Sequence, residues 1–114
     1  MPSYQKNTVQ ARETITIQIL AVRVHSGASD GDWFEGLHYK TLIKCLAKHE
    51  SDFNPKAVGD NGKAIGLLQF WRETWDRYCE GDIWDPYLQA QCADKMLIDD
   101  WNNIKHWTTR EYCI

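Results

Sequence analysis

The sequence predicts a mainly α-helical (α+β) single domain, with a helical core and a small hairpin or irregular lobe. Three observations carry that expectation: an amphipathic run over residues 39–50, a helix start at Asp85-Pro86 followed by two apolar rows, and a turn-forming Asp60-Asn61-Gly62 between them. A chain of 114 residues has room for one core. Its 43% hydrophobic and 12% aromatic content is enough to bury one instead of remaining disordered.

Residues 1–38 read as an N-terminal segment of the same domain, one helix plus loop, and residues 39–114 as the core. Over Thr8–His25 two periods compete. Ile15, Ile17 and Ile19 alternate as in a strand, whereas Ala11, Ile15, Ile19 and Val22 share a helical face, and helix is the favoured reading. Ser26–Gly36 is punctuated by Gly27, Asp30, Gly31 and Gly36 and reads as loop. Tyr39, Leu42, Ile43, Leu46 and Ala47 then recur at i, i+3, i+4, i+7 and i+8, the mark of one buried stripe. Asn54-Pro55 stops that helix, because a proline ring disfavours helical geometry at the residue before it. Asp60-Asn61-Gly62 supplies turn chemistry for a hairpin or irregular lobe within Gly59–Leu68. Glu73–Cys79 suggests a short helix ending near Gly81. Asp85 then reads as an N-cap with Pro86 at the first helical position. Leu88, Cys92, Met96 and Ala93, Leu97, Trp101 form adjoining rows on the helix that follows, and Phe53, Phe70, Trp75 and Trp101 are expected in the core.

At about 100° per residue, Glu50 falls near the centre of the apolar stripe while Lys44 and Lys48 fall on the polar face. A carboxyl so placed is turned toward the core, at a helix C-terminus where the macrodipole is negative. Desolvation and dipole both disfavour the charged form and raise the pKa. A raised carboxyl pKa is what a general acid needs near neutral pH. The plainer alternative is that the helix has ended and Glu50 turns to solvent.

A net charge of −3 without a basic stripe argues against nucleic acid as a partner. No run of about 18 apolar residues is present to span a membrane. Ile15–Val24 is broken by Gln18 and Arg23 and makes a poor signal peptide, so no export signal is expected within the chain. Cys45, Cys79, Cys92 and Cys113 are compatible with two disulfides in any of three connectivities, with free buried thiols the main alternative. A zinc site built from Cys45, His49, Cys79 and Cys92 is a minor alternative, since Cys45 and His49 lie one helical turn apart.

The text around Glu50 runs His49-Glu50-Ser51-Asp52-Phe53-Asn54-Pro55-Lys56-Ala57-Val58 and, after a turn, Ala64-Ile65-Gly66-Leu67-Leu68-Gln69-Phe70. It resembles the soluble lytic transglycosylase (SLT) domain of the lysozyme-like superfamily, in which Glu-Ser with Phe-Asn-Pro-x-Ala-Val precedes Gly-Leu-x-Gln. Thr74-Trp75 and the ending from Trp101 to Cys113 are similar to the resuscitation-promoting factors of that superfamily. The resemblance covers about residues 39–113. It implies a lysozyme-like fold, cleavage of the β-1,4 bond between N-acetylmuramic acid and N-acetylglucosamine, and peptidoglycan glycan strands as partner. It also implies a monomer that is secreted or resident in the envelope or periplasm.

The resemblance further implies roles. Glu50 matches the catalytic acid/base, and Ser51 the residue that orients it or hydrogen-bonds substrate. Gln69 matches a glutamine that reaches the muramyl sugar, its plainer role being a polar side chain satisfied by nearby backbone. Gly66 would let backbone approach the cleft, Trp71 is the candidate sugar-stacking ring, and Asp60 is a possible second carboxylate or simply a turn residue. Two departures stand out. The Ala-Tyr-Asn-Ala-Gly stretch of larger transglycosylases is absent, leaving Tyr87 and Tyr112 as the downstream tyrosines. In resuscitation factors the paired cysteine directly precedes the acid, whereas here His49 stands there and Cys45 lies farther back. Cys45–Cys113 is the pairing the resemblance suggests, with Cys79–Cys92 the other candidate pair.

No second acid is as well placed as Glu50, so a lytic route is expected, in which the muramyl 6-hydroxyl captures the cleaved sugar. Neither a metal nor an organic cofactor is needed for it. Hydrolysis assisted by Asp60 is the close rival. A non-catalytic wall-binding module is a rival of another class, set against the cost of an idle carboxyl on an apolar face. An inhibitor or toxin is suggested only by size and cysteine count.

Overall fold

The computed structural model describes residues 33–114, and the expected helix over Thr8–His25 lies outside them. The described chain is one unit, Trp33–Ile114, in which Trp33, Phe34 and Leu37 are already buried. It is mainly helical with one three-stranded antiparallel sheet, the α+β architecture expected.

Helix α1 (Lys40–Ser51) buries Ile43, Leu46 and Ala47 and exposes Lys44 and Lys48, as its periodicity requires. Its own N-cap, Tyr39, makes no side-chain capping bond. The carboxylate of Asp94 does so from another helix, accepting from the backbone N–H groups of His38 at 2.9 Å and Tyr39 at 2.8 Å. That nearly buried charge also complements the positive end of the helix dipole. At the other end Asp52 (φ 54°) closes the helix in the left-handed region, and its N–H donates to the Lys48 carbonyl at 2.9 Å. Phe53 follows at φ 62°, a conformation uncommon for a bulky residue, and its ring meets Phe34 edge-on at 6.2 Å. The chain therefore turns sharply just past Glu50 and Ser51.

The lobe comprises β1 (Val58–Gly59), a 310 turn at Asp60–Gly62, β2 (Ala64–Ile65) and β3 (Phe70–Trp71). The antiparallel order is β1-β2-β3, pairing Gly59 with Ala64 and Ala64 with Trp71. Phe70 anchors the lobe, edge-on to Trp75 at 5.1 Å and to Trp107 at 5.6 Å. Helix α2 (Arg72–Tyr78) supplies Trp75, whose indole N–H donates to the Gly81 carbonyl at 3.0 Å.

Helix α3 (Pro86–Asp99) begins as its sequence signals, with the Asp85 carboxylate accepting from Tyr87 and Leu88 N–H at 2.9 and 3.2 Å. Two 310 helices, Trp101–His106 and Thr108–Tyr112, complete the unit. Trp101 is not in the core: it is 43% exposed and packs against Tyr39 at 5.4 Å. The helix ends at Asp99 and Asp100 is extended, so the apolar row through Ala93 and Leu97 stops one turn short of Trp101. Phe70 and Trp75 are buried as expected, and Phe53 is half-buried.

Two disulfides close the unit. Cys45 of α1 bonds Cys113 across 68 residues, and Cys79 bonds Cys92 of α3 across 13. On the chain-entropy account, the longer loop contributes roughly 4 kcal/mol.

Gln89 of α3 is fully buried and holds the lobe to the helices. Its Oε1 accepts from Leu68 N–H at 2.7 Å, and its Nε2 donates to the carbonyls of Ile65 at 2.9 Å and Ile83 at 2.6 Å. Gly66 (φ 81°) passes so close that a Cβ there would stand 2.6 Å from Nε2. Gln89→Ala strands all three backbone groups away from water. It is expected to cost about 3 kcal/mol or more, and to lower Tm by roughly 10 °C or more by calorimetry. An unchanged Tm would show that the amide is dispensable.

Candidate active site

Glu50 is the penultimate residue of α1, and its side chain is half-buried, as its place on the apolar stripe predicts. Thr109, from the last 310 helix, donates its hydroxyl to Glu50 Oε2 at 2.7 Å. Two contacts bring that helix to α1: the Cys45–Cys113 bridge, and stacking of Tyr112 on His49 at 5.0 Å and 20° between planes. Burial lifts the Glu50 carboxyl above the usual carboxylate range. The Thr109 hydrogen bond opposes that rise, and the negative charge of Asp60 adds to it. Among the described residues, no hydrogen bond reaches Oε1.

Asp60 lies on the lobe, where its Oδ2 accepts from the Trp71 indole N–H at 3.3 Å. Trp71 is 40% exposed, and the Lys63 ammonium sits 5.5 Å from its ring centroid. Asp60 and Trp71 thus form one surface cluster, and the field of Asp60 reaches Glu50. Gln69 adopts φ 54°, a strained value for its type. Its Nε2 donates to the carbonyls of Gly66 at 3.0 Å and Ala57 at 3.2 Å. Its Oε1 fills the space that a Cβ on Gly59 would need, 2.5 Å away. The amide is therefore folded back onto the lobe, yet Gln69 still lines a cavity of about 300 Å³ together with Trp71.

Ser51 and Gly66 belong to the frame. The Ser51 hydroxyl lies 2.7 Å from the Leu67 carbonyl and 3.2 Å from that of Ala47, and it accepts from Asn54 N–H at 3.2 Å. It ties the end of α1 to the lobe just below Glu50. Gly66 is constrained by buried Gln89. Tyr112 is 67% exposed against His49, and Tyr87 lies on α3 with its phenol pKa raised by burial and then by Asp85.

The zinc set Cys45, His49, Cys79 and Cys92 does not assemble, because Cys79 and Cys92 bond each other. Cys45, His49 and Cys113 do bring ligand atoms within 4.8 Å, but both sulfurs are joined in a disulfide and offer no thiolate. Thr109 is the residue that sequence reasoning missed. Its signal lay in the cysteines: if Cys45 bonds Cys113, the residue five after the first is brought near the residue four before the second.

A helical core with one small antiparallel lobe is consistent with the lysozyme-like class, and Glu50, half-buried and of raised pKa, stands at the end of the core helix. Residues 36–111 match the profile of the transglycosylase SLT domain, and the chain belongs to that family. The match is to the family as a whole. The family implies peptidoglycan-cleaving activity in general. Comparison with curated proteins and with solved structures finds no match.

Two outcomes follow from Thr109 and from burial. Thr109→Val removes the one interaction that lowers the Glu50 pKa, so its carboxyl should titrate at still higher pH by NMR. An unchanged titration would show that the hydroxyl does not govern this carboxyl. Because folding raises the Glu50 pKa, the folded state holds the proton more tightly than the unfolded state. Its stabilising effect is present below the unfolded pKa and is lost as pH rises through the folded one. Glu50→Gln should therefore raise Tm at neutral pH relative to wild type, with the difference shrinking in acid.

Proposed function

We propose that this protein is a lytic transglycosylase in which Glu50 is the catalytic acid/base for the β-1,4 bond between N-acetylmuramic acid and N-acetylglucosamine. The observation that carries the reading is Glu50 itself, half-buried with its pKa raised and aimed by Thr109. Burial favours the protonated carboxyl relative to an ordinary glutamate, the form a general acid needs. The acid proton passes to the bridging oxygen as the bond from muramyl C1 breaks, and the N-acetylglucosamine side leaves as an alcohol. Glu50, now a carboxylate, takes the proton of the muramyl 6-hydroxyl, whose oxygen bonds to C1. The product is a 1,6-anhydro sugar, no water is consumed, and Glu50 ends protonated as it began.

Thr109 stabilises the carboxylate midway through this cycle and fixes its orientation. Asp60, hydrogen-bonded to Trp71, supplies negative charge near the developing cation. That same charge favours a second reading, in which Asp60 helps a water attack C1 and the product is a reducing end. Trp71 offers the exposed ring face for a sugar. A wall substrate places the protein outside the cytoplasm or in the envelope.

Digestion of purified peptidoglycan, with mass spectrometry of the fragments, separates these readings. Anhydro-muramyl ends are expected, whereas reducing ends would replace the lytic route by hydrolysis. Glu50→Gln is expected to slow cleavage by about 10²–10⁴-fold. Full activity in that variant would remove Glu50 from the mechanism.

A further inference from the structure

The cavity that Gln69 and Trp71 share with Thr74, Lys105, His106 and Trp107 carries charge that neither the acid nor the sugar contacts use. Lys105 makes no ion pair among the described residues, and neither does Arg77, whose charge reaches His106. The His106 imidazole is edge-on to Tyr78 at 5.7 Å and to the buried Trp107 at 6.3 Å. Burial pushes its pKa down first, and the charges of Lys105 and Arg77 push the same way. Asp60 is bound to the indole of Trp71, one of the cavity's lining residues. In a chain of net charge −3, Lys105 thus puts an exposed cation on the wall of a cavity of about 300 Å³, beside the His106 imidazole and the Thr74 hydroxyl.

An exposed ammonium on a cavity wall that no protein carboxylate pairs is available to an anion that enters the cavity. We propose that Lys105, with His106 and Thr74 as hydrogen-bonding partners, forms a specificity subsite for a carboxylate borne on the muramyl lactyl arm. That carboxylate belongs either to the stem peptide or to the lactyl acid itself where the peptide has been removed. The subsite rests on peptidoglycan being the substrate, and it adds the discriminating group: an uncharged polysaccharide offers nothing to Lys105. Gln69 and Trp71, which line the same cavity, connect it to the lobe that faces Glu50.

Three substrates test this: intact peptidoglycan, glycan strands stripped of peptide by an amidase, and strands whose carboxylates have been converted to neutral amides. Wild type should show a KM about tenfold higher on the amidated strands. Lys105→Glu should raise KM about tenfold on carboxylate-bearing substrate with little change in kcat, and Lys105→Arg should restore it. A lower KM on intact than on stripped strands assigns the stem peptide as the source, a lower KM on stripped strands assigns the lactyl acid, and equal KM on both with a higher one on the amidated strands shows that either carboxylate serves. A Lys105→Glu enzyme with unaltered KM on all three substrates overturns the subsite. Calorimetric titration of Glu50→Gln protein with soluble muramyl-peptide fragments keeps the subsite separate from catalysis. Binding that is lost on adding Lys105→Glu, in a protein whose wild type cleaves nothing, would retain the subsite and remove the transglycosylase reading. Cleavage by wild type with binding indifferent to Lys105 would do the reverse.

Discussion

The buried amide of Gln89 is the fastening on which the rest of this molecule depends. One side chain on α3 binds three backbone groups from two separate segments: Ile65 and Leu68 of the lobe, and Ile83 of the loop before the helix. Short two-residue strands such as these cannot hold a lobe in place by their own ladder bonds. The amide supplies the missing constraint, and it does so in an apolar interior where each bond is strengthened and each loss is costly. Gly66 bends around it, Gln69 takes its left-handed turn three residues on, and the strand bearing Trp71 follows. The surface presented to a substrate is thus set from behind.

The electrostatics of Glu50 are built from the opposite direction. The C-terminal 310 helix approaches α1 from outside the core and delivers one hydroxyl to one carboxylate oxygen. Burial and Asp60 raise the proton affinity of Glu50 while Thr109 lowers it. In the cycle proposed for Glu50 such opposed influences suit a group that gives up a proton and takes one back, since a carboxyl held too strongly in either state would stall half of it. Ser51, next in sequence, spends its hydroxyl on the Leu67 carbonyl and so keeps the end of the helix at a fixed distance from the lobe.

Much of this was legible in the residues. The stripe Ile43, Leu46, Ala47 located α1 and put Glu50 on its buried side, because helical periodicity is a local property. Asp85-Pro86 marked the start of α3 for the same reason. Trp101 was misplaced by that logic, since the row it seemed to extend is cut by Asp100, whose extended backbone and bond to Asn102 N–H start a new element. Thr109 and Asp94 were invisible because their roles are tertiary: each reaches a partner 55 or more residues away. Gln69 and Gly66 could be picked out by pattern, but their surroundings could not. The buried amide that dictates the shape of Gly66 carries no periodic signature.

Those long separations bear on how the molecule comes into being. Glu50 is translated well before the carboxylate that caps its helix and the threonine that hydrogen-bonds it. A nascent chain that has emerged only as far as the lobe possesses the acid, the glutamine and the exposed tryptophan, yet its helix is uncapped and its glutamate is unaimed. The site comes into existence as a unit, late, when the final turns dock and Cys113 finds Cys45. On the transglycosylase reading proposed above, an incomplete chain carries the acid without the hydroxyl and the capping carboxylate that position it.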